Sequence, residues 1–269
     1  MGSGRNDGVK IMSCEILGKS ESGSSGAGLS GQIRAFKYAA DNGAVICQNS
    51  WGYTAGTISE TDWKNGTYSA LTRAIQYFNK YAGLDENGNQ TGPMAGGIVL
   101  FAAGNDASSE VCYPAADANA ISVGATAFTG APAYYTNYGP ACNIAAPGGD
   151  AYQSYLENIN TGASEVLSTV NGGKYGYMQG TSMACPHVSG VAALGLSYAL
   201  QLGKTFTQNE FTTLLLTSVN DINQYCTGTK QYFTDKGSLA TLDLSQYKKG
   251  MGTGYIDAYQ VLMNVRGIT

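Results

Sequence analysis

Residues 180–190 read GTSMACPHVSG and run into an apolar stretch at 188–196. Proline lacks an N–H and is tolerated in a helix only near its first turn. A helix carrying 188–196 must therefore begin close to Ser182, and Pro186 fixes that start. Backbone N–H groups at such a start have no partner within the helix, and the dipole there favours negative charge. Two readings of Ser182 follow. It is an N-cap serine that holds one orphan N–H, or a nucleophile placed where a developing oxyanion would be stabilised. The segment is not the G-x-S-x-G elbow, because the second residue after the serine is Ala184.

A serine hydroxyl is a weak nucleophile and normally needs a positioned general base, most often histidine. His187 is the chain's single histidine. Five residues along a helix at ~1.5 Å rise put it roughly 7 Å further along the axis and well round the cylinder from Ser182. It cannot face the hydroxyl.

The rest of the chain alternates strand-like and helix-like segments, as in β-α-β units with a parallel sheet. Residues 9–16 read as a strand, 18–31 as a Gly/Ser-rich loop, 32–42 as a helix and 44–49 as a strand. A polar insertion at 53–66 and a helix at 68–81 precede the buried strand 98–103, whose apolar run is too short for a helix and follows glycine. Residues 151–177 read as hairpins, 208–218 as a surface helix and 220–249 as an insertion. The turn at 85–90, DENGNQ, spaces Asp85, Asn87 and Asn89 like the first ligands of a calcium loop. It lacks the glycine and glutamate such a loop needs, which favours an Asn-Gly turn. No metal and no cofactor are expected.

Three segments, QNSWG at 48–52, VLFAAGN at 99–105 and GTSMACPHVSG, resemble in order and spacing the C-terminal blocks of the subtilisin-like serine proteases. YP at 113–114, AISVGA at 120–125, AAPG at 145–148 and GTGYIDA at 252–258 extend the resemblance over almost the whole chain. It implies an α/β fold: a doubly wound, mostly parallel sheet with helices on both faces. It also implies that Ser182 is the nucleophile and that Asn105 is the side-chain donor of the oxyanion hole beside the Ser182 N–H. Read alone, Gly104-Asn105 is equally turn chemistry. Asparagine at 105 separates the chain from the sedolisin relatives, which use aspartic acid there. By the same resemblance Ser50, Trp51 and Gly52, with Ala102, Ala103 and Gly104, flank the primary specificity pocket, where small residues let a peptide add as an extended strand. Cys112 falls at the pocket floor, where its sulfur is expected to shorten the pocket without closing it to large apolar side chains.

Two family blocks have no counterpart. There is no His-Gly-Thr and no Asp-Thr/Ser-Gly at the expected place. The chain thus reads as a single peptidase domain, 1–269, truncated at its N-terminal side and without the N-terminal strands. The aspartate strand would lie between 9–16 and 44–49, so its loss leaves an open slot in the sheet. The expected partners are a peptide or protein substrate and the missing N-terminal segment of the same enzyme. Alone, the chain is expected to be inactive. The alternative is a non-catalytic peptide-binding pseudoprotease.

At 269 residues and 43% hydrophobic content the chain can bury a substantial core, and a net charge of −4 without a basic run points to neither nucleic acid nor an anionic membrane surface. No apolar run reaches the length of a membrane span and no signal peptide is visible. The resemblance implies a secreted or otherwise extracytoplasmic bacterial protease. The six cysteines show no CxxC spacing and read as buried thiols.

Overall fold

The computed structural model describes residues 8–18, 26–152, 164–234 and 236–267. Its centre is a six-stranded sheet. In chain order its strands are β1 (Ile46–Asn49), β3 (Ile98–Ala102), β4 (Ile121–Thr126), β5 (Ile144–Pro147), β9 (Val219–Asn220) and β12 (Tyr255–Ile256). In space they run β1-β3-β4-β5-β12-β9, parallel except where β9 meets β12.

Alternation along β3 divides the core. Ile98, Leu100 and Ala102 enter one apolar cluster, whereas Val99 and Phe101 enter another on the opposite face. A strand covered on both faces reads as a continuous apolar run, which is the pattern of residues 98–102. The first face is covered by the long helix α4 (Thr181–Gln201), which lies across β1, β3, β4 and β5, with α6 (Ala258–Arg266) packed on α4. The second is covered by α1 (Gly28–Asp41) and α3 (Ser69–Tyr81). Helices thus lie on both faces of a mostly parallel sheet, as expected.

Three boundaries differ from the sequence reading. Residues 9–16 form no strand, and Ile11 is 91% exposed. Among the described residues no strand precedes β1, which pairs only with β3 and forms one edge of the sheet. Among the described residues no strand lies beside 9–16; its Ile16 carbonyl instead accepts the Ala27 N–H, at the start of α1, at 2.8 Å. Helix α1 begins at Gly28, within the expected loop, because Leu29, Ile33 and Phe36 share a face that packs on the second cluster. The polar insertion at 53–66 contains a short helix, α2 (Glu60–Asn65), whose first turn is capped by the Ser59 hydroxyl and whose Trp63 is fully buried.

Smaller pieces complete the chain. β2 (Met94–Ala95) pairs with β8 (Phe206–Thr207), which leads into α5 (Gln208–Thr217) through a Thr207–Glu210 capping box. Although expected at the surface, α5 buries Phe211 and Leu215 completely. Hairpin β6–β7 (Val166–Val170, Lys174–Met178) lies where hairpins were expected; residues 153–163 fall outside the described set. The insertion at 220–249 contains the hairpin β10–β11 (Thr229–Phe233, Leu239–Asp243). Asp85 accepts N–H groups from Asn87 and Asn89 within its turn. All six cysteines are free thiols; Cys112, Cys142, Cys185 and Cys226 are buried, and Cys14 and Cys47 half-buried.

Candidate active site

Helix α4 starts at Thr181, with Gly180 as its cap at φ 147°. Ser182 is therefore the second helical residue and not the cap. Its hydroxyl faces the carbonyl oxygen of Ser50 at 3.4 Å, away from its own helix. That separates the two readings of Ser182 on geometry: the hydroxyl holds no orphan N–H of α4. In return the Ser50 hydroxyl donates to the Ser182 carbonyl oxygen at 2.7 Å and accepts from the Gln48 amide at 2.6 Å. Ser50 follows β1 directly, so the edge strand and the start of α4 are tied together.

Asn105 lies on the loop after β3. Its Oδ1 accepts from both the N–H and the hydroxyl of Thr181, each at 2.9 Å, while the Thr181 hydroxyl accepts from the Gly104 N–H at 3.2 Å. With Oδ1 committed to Thr181, the amide nitrogen is left as the outward donor of Asn105. The side chain is thereby oriented by its neighbour in space, 76 residues away in sequence.

Beside Ser182 lies a cavity of about 210 Å³. Of the expected residues, Trp51, Gly52, Ala102, Gly104, Asn105, Cys112 and Ser182 line it. Ser50 stands outside, bonded to Ser182, and Ala103 lies behind, its carbonyl accepting from Asn137 at 3.0 Å. The Cys112 thiol donates to the Tyr53 carbonyl at 3.0 Å and borders a second, smaller cavity lined by Glu110 and Tyr138. Burial first, and then the Asp106 carboxylate, push that thiol up to about 11.

Sequence reasoning missed Thr181, Asn137 and Asp106. Asn137 accepts from the Asp106 and Ser108 N–H groups and donates to Ala103 and to the Asp106 carboxylate, which lines the cavity. Nothing around Asn137 in sequence signals this, whereas Thr181 and Asp106 each adjoin a predicted residue. His187 points elsewhere: its Nδ1 meets the Met183 carbonyl oxygen one turn back at 2.8 Å.

The model of the subtilase family matches residues 1–246. The chain belongs to the subtilase family. It is similar to the thermophilic serine proteinase of Bacillus sp. (strain AK1), 33% identical over 69% of this chain and 35% of that protein. Thermitase of Thermoactinomyces vulgaris is 31% identical over 69% of this chain and 51% of its own length. The chain thus spans only about a third to a half of these two curated relatives. Among solved structures, the prenylagaramide maturation protease PagA superposes with a TM-score of 0.61 at 25% identity, covering 91% of this chain and 70% of that one. A lanthipeptide protease superposes at 0.63 and 21% identity, covering 93% and 69%, and shows the same fold.

Proposed function

We propose that this chain is the part of a subtilisin-like serine endopeptidase that carries the nucleophile and its oxyanion hole, within a single peptidase domain cut short on its N-terminal side. Ser182 attacks the peptide carbonyl. The Asn105 amide and the Ser182 N–H, in the first turn of α4, hold the oxygen as it becomes negative. The observation that carries this reading is Thr181 fixing the Asn105 oxygen, which leaves the nitrogen to donate beside Ser182. Ser50, Trp51 and Gly52 on one side, and Ala102, Ala103 and Gly104 on the other, flank an extended peptide, with Cys112 at the floor of its pocket.

The proton acceptor and the carboxylate that orients it belong to residues outside this chain. The chain's one histidine is held by Met183, and among the described residues the Ser182 hydroxyl's hydrogen-bond partner is the Ser50 carbonyl. The open edge of β1 is where the strand bearing the missing aspartate docks. In a subtilisin, loss of the histidine alone costs about 10⁶ in kcat, so the isolated chain is essentially without turnover. The printed names of two relatives, an extracellular basic protease and an extracellular protease, support a secreted bacterial enzyme. Helix α4 is long and apolar enough to cross a membrane, but half of its most apolar window is buried inside the protein. Its place in the core favours no membrane span.

A cleft assembled without its base also favours a second reading, a pseudoprotease that captures peptides by strand addition. A fluorophosphonate probe separates the two. Ser182 should stay unlabelled in the chain alone and become labelled when a segment carrying an Asp-Thr/Ser-Gly and a His-Gly-Thr block is added. Peptide binding with no labelling after that addition favours the binder, and strong labelling of the chain alone refutes the account of the missing base.

A further inference from the structure

The insertion carries a buried charge. Lys230, on β10, and Asp150, on the turn after β5, have side chains only 5% and 0% exposed, with Nζ and Oδ2 2.5 Å apart. Lys230 also donates to the Pro132 carbonyl at 2.6 Å. Asp150 accepts the Tyr134 and Tyr152 N–H groups, each at 3.1 Å. A carboxylate buried this completely is very costly without an opposite charge, and removing one partner of such a pair is strongly destabilising.

The turn that holds Asp150 is also the one on which the start of α4 rests. The Gly180 N–H donates to the Gly148 carbonyl at 2.9 Å, and the Ala151 N–H donates to the Gln179 side-chain oxygen at 2.7 Å. The Gln179 amide then donates to the Tyr134 hydroxyl at 3.0 Å. A side chain on Gly148 would meet the Gly180 carbonyl oxygen at 2.8 Å, so the two backbones touch. Tyr232, two residues beyond Lys230, stacks on Tyr134 with ring centres 5.3 Å apart. The hairpin, the Asp150 turn and the segment leading into Ser182 form one connected body.

We propose that Lys230 is a positioning residue for Ser182: by neutralising Asp150 beneath the turn at 148–151, hairpin β10–β11 sets where the segment 179–182 stands. This rests on the reading of Ser182 as nucleophile. The insertion is then part of the catalytic scaffold, acting from the far side of the turn without touching substrate.

Amide hydrogen exchange on the full chain, read residue by residue, tests this. Lys230→Met should speed exchange at Gly180 and Ala151 at least tenfold relative to the amides of β3 and β4, and Lys230→Arg should restore most of that protection. Unchanged exchange at Gly180 overturns the proposal, as does a uniform loss across β3 and β4, which would mark a merely structural pair. If Lys230→Met does not fold, Lys230→Gln is read by the same criteria. The readout involves no chemistry at Ser182. Faster exchange with a serine that never labels after complementation would dismiss the nucleophile and with it the positioning role, whereas unchanged exchange with a labelled serine would dismiss Lys230 alone.

Discussion

The Ser50 hydroxyl stands 2.7 Å from the carbonyl oxygen of Ser182, an acceptor whose helical donor would be the N–H that Pro186 lacks. An unpaired carbonyl in the first turns of a helix must find another partner, and the residue closing β1 supplies it. Pro186 is thereby accommodated as the sixth residue of α4, and the Ser182 segment is tied to the edge of the sheet.

Removing that hydroxyl should be felt only while proline is present. Ser50→Ala should destabilise the chain by about 1 kcal/mol, measured from urea unfolding midpoints. In a Pro186→Ala background, where residue 186 regains its N–H, the same change should cost close to nothing. Equal costs in both backgrounds would show that the bond does not serve this carbonyl.

Asn105→Ala removes an outward donor and also the acceptor for both Thr181 bonds. In the complemented enzyme kcat should fall roughly 10²–10³-fold, the size found for such a donor in a subtilisin, with KM little changed. Steady-state kinetics on a peptide substrate provides the check. A rise in KM at constant kcat would reassign Asn105 to ground-state binding.

Alkaline pH should weaken the fold through its buried thiols. Burial pushes Cys142 and Cys185 up to about 12, and Cys112 up to about 11, from an ordinary 9.0. Each thiol stays neutral in the folded chain while the unfolded chain ionises. Their contribution is therefore complete below about pH 9 and is lost as pH rises toward 11–12. Urea midpoints between pH 7 and 11 should fall above pH 9, and Cys142→Ala should flatten the slope.

Cys112 borders both the cavity beside Ser182 and the smaller one lined by Glu110 and Tyr138. Cys112→Gly should join them. Peptides with the largest apolar side chain in that position should then bind several-fold tighter relative to those with leucine, measured by fluorescence anisotropy. No change in the ratio would mean that the sulfur is not the floor.

What the sequence disclosed depended on how local the signal was. The run 98–102 reads as a buried strand because glycine precedes it and both its faces are apolar, and Pro186 marks the start of α4. The start of α1 at Gly28 was hidden by glycines that read as a loop, although Leu29 already belongs to the packed face. Residues 9–16 carry strand chemistry but have no strand beside them among the described residues, which periodicity cannot reveal. At the candidate site, the motifs pick out Ser182 and Asn105, which the fold brings beside one cavity. Asn137, Lys230 and Asp150 were not, because each acquires its role only from groups brought beside it by the fold.

A six-stranded sheet ending on β1 has consequences for the whole molecule. The outward N–H and C=O groups of its terminal strand form a template that any extended segment of matching pattern can join. Association with a complementary fragment would turn folding into a second-order process, so the melting temperature should climb with the amount of fragment added and catalysis should emerge only as the two pieces meet.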